Sequence, residues 1–224
     1  MKNIHHNYWT GEYEEKDADL CNPDLVLAMQ ELYGRKGFDF GKGNDRFNDK
    51  NKKNHYRPDG YSVYTPLNGN YSSKMPFRRK TVENNKELAD KCFFLAGTIA
   101  GEIFFPCRRL DGMNTMNQSR GELHGDVKDM MYITLDSIKK YYAKEDDNYP
   151  LKETIETYGY FFDCFDSFDE YIEYNLLQDY ELLPKKFPTA ENELVEFWEK
   201  SVEFLEARLQ RIEEYAKQNG LLEE

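Results

Sequence analysis

The sequence predicts a mixed α+β fold, with a small, partly antiparallel sheet from the N-terminal half packed against C-terminal helices. Three observations point there. The longest apolar stretch, residues 92–106, reads as strand; apolar residues at three- and four-residue steps fill most of the chain after it; and 17 Tyr and 15 Phe supply ring area for a core. A length of 224 residues suits one large domain or two small ones. The expected organisation is one α+β unit over residues 1–183, followed by a heptad-patterned helix over 189–220.

The first predicted element is a short helix opened by Asn22 and Pro23 and ending at Gly34, with Leu25, Met29 and Leu32 on its apolar side. Residues 37–73 are rich in Gly, Asn, Lys and Asp and predict turns and solvated, mobile backbone. Within them, residues 61–65 alternate as a half-buried strand does, up to Pro66. Residues 92–106 then predict strand buried on both faces, and the small residues Gly97, Ala100 and Gly101 predict a bulge or a close approach by another element.

Helices follow. Met131, Thr134, Leu135, Ile138 and Tyr142 recur at helical steps over about 126–143. Leu151, Ile155, Tyr158, Phe162 and Phe165 do the same behind Pro150. Ser167 and Glu170 form a capping box ahead of a third helix that reaches about Asp179. Pro184 and Pro188 bracket a linker, and Thr189 opens the final helix. Its heptad residues Val195, Trp198, Val202, Leu205, Leu209, Ile212 and Ala216 support either a seam for a homodimer or a helix laid across its own domain.

Several classes are excluded. Residues 92–106 are too short for the ~20 apolar residues of a membrane helix and are broken by Glu102, so no membrane partner is expected. The N-terminus lacks the apolar core of a secretory signal, which predicts a cytoplasmic protein. Cys21, Cys92, Cys107 and Cys164 lie far apart and predict reduced, mostly buried thiols. Gly41-Lys42-Gly43 lacks the spacing of a phosphate loop. Glu122, His124, Asp126 and Asp129 match no zinc pattern, and Asp163, Asp166 and Asp169 lack the glycine and final glutamate of a calcium loop, so neither metal nor cofactor is implied. Ser119 lacks the surroundings of a nucleophile elbow.

The formal charge of −12 is unevenly spread. Residues 35–80 carry 12 basic and 4 acidic side chains, whereas residues 144–224 carry 8 and 22. Such runs mark solvated faces that meet each other, or a basic surface for an anionic partner.

The richest stretch for function is residues 106–121, between the predicted strand and the first strong helix. Arg108, Arg109 and Arg120, with Asn114, Asn117 and Gln118, have the chemistry to hold a phosphate or carboxylate, because the guanidinium fork matches two oxygens at once. The same residues can instead tie the loop together, with Asp111-Gly112 as a turn and Arg109 or Arg120 paired to Asp111 or to the acidic helices.

These residues also carry a resemblance. Thr98-Ile99-Ala100-Gly101, Ile103-Phe104-Phe105-Pro106, Arg109-Leu110-Asp111-Gly112, Thr115-Met116-Asn117 and Ser119-Arg120-Gly121 resemble a bacterial family of uncharacterised proteins whose members read roughly TIGG-x-IIFP, RIDG and TIN-x-ARG. The likeness continues through Thr134-Leu135, Pro150-Leu151 and Phe161-Phe162 to Gln178-Asp179, covering about residues 98–180. Ala100 stands where Gly is usual and Ser119 where Ala is usual, and the tail from Thr189 falls outside the pattern. The resemblance implies a domain and carries no catalytic residues.

The leading expectation is a protein that binds a phosphorylated ligand, either a nucleotide or a short RNA, through Arg108, Arg109, Asn117 and Arg120. Any hydrolysis would use Asp111 or His124 as the nearest acid–base group. The rival is a non-enzymatic interaction or regulatory module, phage- or defence-related, acting through the acidic final helix.

Overall fold

The computed structural model describes residues 1, 4–8, 22–40, 56–60, 76–122, 130–144 and 148–222. The expected strand at 61–65, the turn-rich stretch 41–54, Cys21, His124 and the start of the helix expected from 126 lie outside the described residues.

Helix α1 (Pro23–Tyr33) forms as its sequence dictates. Asn22 accepts hydrogen bonds from the amides of Asp24 (2.9 Å) and Leu25 (3.2 Å), and Pro23 occupies the first position, where no amide is needed. The Asn22 amide also donates to the Tyr8 carbonyl at 3.0 Å, which fixes the N-terminal segment to the helix start.

The sheet has two antiparallel strands, β1 (Tyr56–Gly60) and β2 (Glu102–Pro106), in register from Tyr56↔Pro106 to Gly60↔Glu102. Strand alternation puts Arg57 and Asp59 on one face with Phe105 and Ile103, while Tyr56 and Phe104 share the other. On that second face lies an aromatic core. The Phe38 ring centroid is 4.8 Å from Tyr56, 5.1 Å from Phe104 and 5.7 Å from both Phe161 and Tyr174.

The predicted strand over 92–106 is strand only at its end. Helices α2 (Arg78–Asn84) and α3 (Lys86–Ala96) precede it, and residues 92–96 are the last turn of α3. The physical reason is amphipathicity. Ala89, Cys92, Leu95 and Ala96 are buried at helical spacing while Phe94 faces water, so the apolar run is one-sided. Thr98 then caps a 3₁₀ turn, Ile99–Gly101, by accepting from the Ala100 amide and donating to the Leu95 carbonyl. The expected close approach is present at Gly101, where a Cβ would lie 1.9 Å from the Ala96 carbonyl oxygen.

Beyond β2 come α4 (Met116–Glu122), α5 (Met131–Ala143), α6 (Lys152–Thr157), α7 (Gly159–Phe162) and α8 (Phe168–Tyr174). The single helix expected after Pro150 is thus two short ones, starting beyond Leu151, which has a left-handed φ of 66°. Ser167 caps α8 through the Glu170 amide at 3.1 Å, but the Glu170 carboxylate reaches the Asp166 amide (2.6 Å) and Lys36 instead of the cap residue's own amide. Helix α8 stops at Tyr174, short of Asp179.

Helix α9 (Glu191–Gln218) packs along α3, the 3₁₀ turn and α2. Its buried side adds Leu194, Phe197, Phe204 and Arg208 to Trp198, Val202, Leu205, Leu209, Ile212 and Ala216. A stripe this wide suits a helix laid on its own domain rather than a narrow coiled-coil seam. A second copy reaches it only if the helix first leaves the core. Arg208 is fully buried; its Nη1 donates to the Ala100 carbonyl at 2.7 Å and its Nη2 to the Asn175 carbonyl at 3.1 Å and the Tyr33 hydroxyl at 3.2 Å. None of these acceptors is a carboxylate. Among the described residues, no helix is long and apolar enough to cross a membrane.

Candidate functional site

The arginines of the 108–120 loop diverge. Met116–Glu122 is helical, so Asn117 and Arg120 lie three residues apart on one helix face and reach β1 together. Arg120, 1 % exposed, places Nη1 2.7 Å from Asp59 Oδ1 and donates through Nε to Thr134 Oγ1 at 2.9 Å. The Asn117 side-chain amide donates to the same Asp59 Oδ1 at 2.7 Å. The carboxylate partner of Arg120 is thus on β1, neither Asp111 nor one of the acidic C-terminal helices.

Arg109 is exposed and donates to Asn114 Oδ1. Asp111 (φ 48°) and Gly112 (φ 79°) make the expected turn, closed by the Met113 amide on the Leu110 carbonyl at 2.8 Å; Asp111 itself is exposed. Ser119 Oγ lies 2.6 Å from Thr154 Oγ1, joining α4 to α6. His124 and the side chain of Glu122 are outside the described residues. No group of three or more His, Cys, Asp and Glu is arranged to hold a metal ion among the described residues.

Arg108 is half-buried, and its carbonyl accepts from the Tyr158 hydroxyl at 2.9 Å. This contact brings in Arg57, which sequence reasoning missed. Burial raises the Tyr158 pKa, while an amide hydrogen bond from Leu110 and the charges of Arg109 and Arg57 pull it down. Arg57 and Arg109 thus both favour the charged form of this buried hydroxyl. Arg57 is 9 % exposed with its Nε buried, and its side chain makes no hydrogen bond or ion pair among the described residues. Its neighbour on the same strand face, Asp59, is turned to Arg120 and Asn117.

Tyr160, on α7, borders the same group. Its hydroxyl pKa is pushed up to about 12, first by burial, with Tyr158 and Cys107 adding to the rise and Arg108 opposing it. The signal that would have found Arg57 is weak. Tyr56-Arg57-Pro58-Asp59-Gly60 reads as a turn, because Pro and Gly weaken a strand pattern, and only the pairing with β2 makes it a strand.

Two cavities lie elsewhere. One of about 490 Å³ is lined by Lys140, Tyr141, Tyr149, Lys152 and Glu156, among others; another of about 670 Å³ lies between the 181–189 connection and α9. No residue of the 108–120 loop lines either one. Of the arginine group, Arg109 faces solvent, Arg108 is half-buried and Arg57 is buried.

The fold is α+β, with a two-stranded sheet whose β2 runs straight into the 108–120 loop. The chain belongs to a family of unknown function, DUF6994, whose sequence profile matches residues 2–216. That match takes in the N-terminal segment and nearly all of α9, a wider span than the motif resemblance over 98–180. No curated protein and no solved structure matches the chain.

Proposed function

We propose that this protein binds a phosphorylated ligand on the cationic face formed by Arg57, Arg108 and Arg109. One observation supports the reading above the others. A guanidinium as buried as that of Arg57 carries a desolvation cost of several kcal/mol, which a protein ordinarily offsets with a partner charge. The adjacent carboxylate is engaged by Arg120 and Asn117, and among the described residues Arg57 has no partner charge, which leaves it to an anion from outside. In this reading Arg120 and Asn117 are positioning residues that hold Asp59 away, and Arg57, Arg108 and Arg109 meet the phosphate oxygens. Asp111, exposed on the same loop, is the acid–base candidate if binding leads to hydrolysis.

Titration calorimetry of the full chain with inorganic pyrophosphate tests this. Measurable binding is expected, weakened at least tenfold by Arg57→Gln or Arg108→Gln, with affinity falling as salt rises. A wild type that binds no phosphorylated anion at low salt would remove the reading.

A second reading, an interaction module acting through α9, draws on the exposed glutamates of that helix. Glu196 and Glu206 pair with Lys200 and Lys91, while Glu199 and Glu203 add unbalanced charge to the solvent face. A basic partner protein, captured by the wild type and lost on charge reversal at Glu199 and Glu203, would favour it.

A further inference from the structure

The cationic face has an aromatic neighbour. Tyr160 is 39 % exposed, one of three large hydrophobic side chains that face water among the described residues, the others being Leu27 and Phe94. It sits on α7 two positions after the fully buried Tyr158, and the two ring centroids are 6.3 Å apart at an interplanar angle of 55°. Tyr158 in turn hydrogen-bonds the Arg108 carbonyl, so the ring of Tyr160 and the backbone of the arginine loop are held by one rigid anchor. The Arg108 charge reaches the Tyr160 hydroxyl. Tyr158 thus links the Arg108 backbone to the ring of Tyr160.

Resting on the reading that Arg57, Arg108 and Arg109 receive phosphate, we propose that the ligand is a nucleotide whose base stacks on Tyr160. A bare polyphosphate has no use for an exposed ring, whereas every nucleobase has a flat π-face that stacks on one. A mononucleotide fits better than a nucleic-acid strand. The arginine group is small, and the rest of the chain carries the excess acid that makes the net charge −12, which repels an extended polyanion.

The test compares ATP, GTP, CTP and UTP with inorganic triphosphate by calorimetry on the full chain, using wild type, Tyr160→Ala, Tyr160→Phe and Arg57→Gln. At least one nucleotide is expected to bind on the order of tenfold tighter than triphosphate. Tyr160→Ala should erase that advantage and leave triphosphate affinity unchanged, while Tyr160→Phe should keep it. Thermal melts check that the Tyr160 variants keep the fold, and Tyr160→Phe, which keeps the ring and its packing, controls for the partial burial of this side chain. Equal affinity for nucleotides and triphosphate in the wild type, or a Tyr160→Ala protein that still prefers nucleotides, overturns the stacking proposal and leaves the phosphate site standing. If neither triphosphate nor any nucleotide binds, the phosphate reading itself falls. A short RNA that binds far tighter than any mononucleotide, with a steep salt dependence, would replace the nucleotide with a strand.

Discussion

Arg120 Nη1 lies 2.7 Å from Asp59 Oδ1, and both side chains are almost entirely out of water. The pair ties α4 to β1 across 61 positions of sequence and, with Asn117, decides which way the Asp59 carboxylate faces. Removing one member leaves the other charge buried. Asp59→Asn or Arg120→Met is therefore expected to cost about 3–5 kcal/mol, whereas the double substitution Asp59→Asn with Arg120→Met should cost less than either single change summed with the other. Urea denaturation of the three variants measures this; additive losses would show that the two groups do not depend on each other.

Arg208 poses a different problem, a buried cation whose side-chain hydrogen bonds go to two carbonyls and a phenol. Arg208→Lys keeps the charge and loses the planar fork, so a loss of about 2–4 kcal/mol is expected. Arg208→Met should be no worse, because the charge leaves along with the donors. Equilibrium unfolding of both variants checks it, and a methionine variant clearly less stable than the lysine one would make the hydrogen bonds, not the buried charge, the dominant element.

Gly101→Ala is expected to be among the most damaging conservative changes. The added carbon would fall 1.9 Å from the Ala96 oxygen and 2.6 Å from its carbonyl carbon, both backbone atoms at the end of a packed helix. Ala96 and Gly101 must separate, which disturbs the turn that Arg208 binds through Ala100. A melting temperature lowered on the order of 10 °C, or loss of soluble protein, is the expected outcome; an unchanged melt would mean that the α3 end shifts freely.

Alkaline pH should unfold the protein from about pH 10 upward. Burial raises the pKa values of Tyr33 and Tyr171 and pushes those of Tyr8 and Tyr174 up to about 12, against an ordinary 10.0. A raised phenol pKa means that the fold prefers the neutral form, so this stability is complete below pH 10 and is lost as pH climbs toward 12. Phenolate absorbance followed beside circular dichroism should show a late class of tyrosines ionising together with loss of structure. Ionisation of all of them near pH 10 with the fold intact would contradict the burial.

Much of the helix grammar was legible in the sequence because it is local. Asn22-Pro23 and Ser167-x-x-Glu170 satisfy helix amides within one turn, and the apolar steps of α5 and α9 report a face without reference to any partner. Strand against helix over 92–106 was not, because a short apolar run has no decisive period, and the polar residues of 86–91 that complete the helical pattern lie ahead of it. The candidate site was half legible. Arg108 and Arg109 stand on the loop where residue types pointed, whereas Arg57 depends on Asp59 being taken by residues 58 and 61 positions away, a long-range choice that spacing does not encode.

Arg208 also bears on how the chain comes to be folded. Its three acceptors belong to residues 33, 100 and 175, and it follows all of them in sequence. During synthesis those segments emerge before the donor that joins them, and the buried face of α9 is missing from the nascent core. The earlier segments must then wait with apolar surface uncovered, so folding of this architecture closes only once α9 has left the ribosome, and the waiting interval is when a chaperone would have most to do.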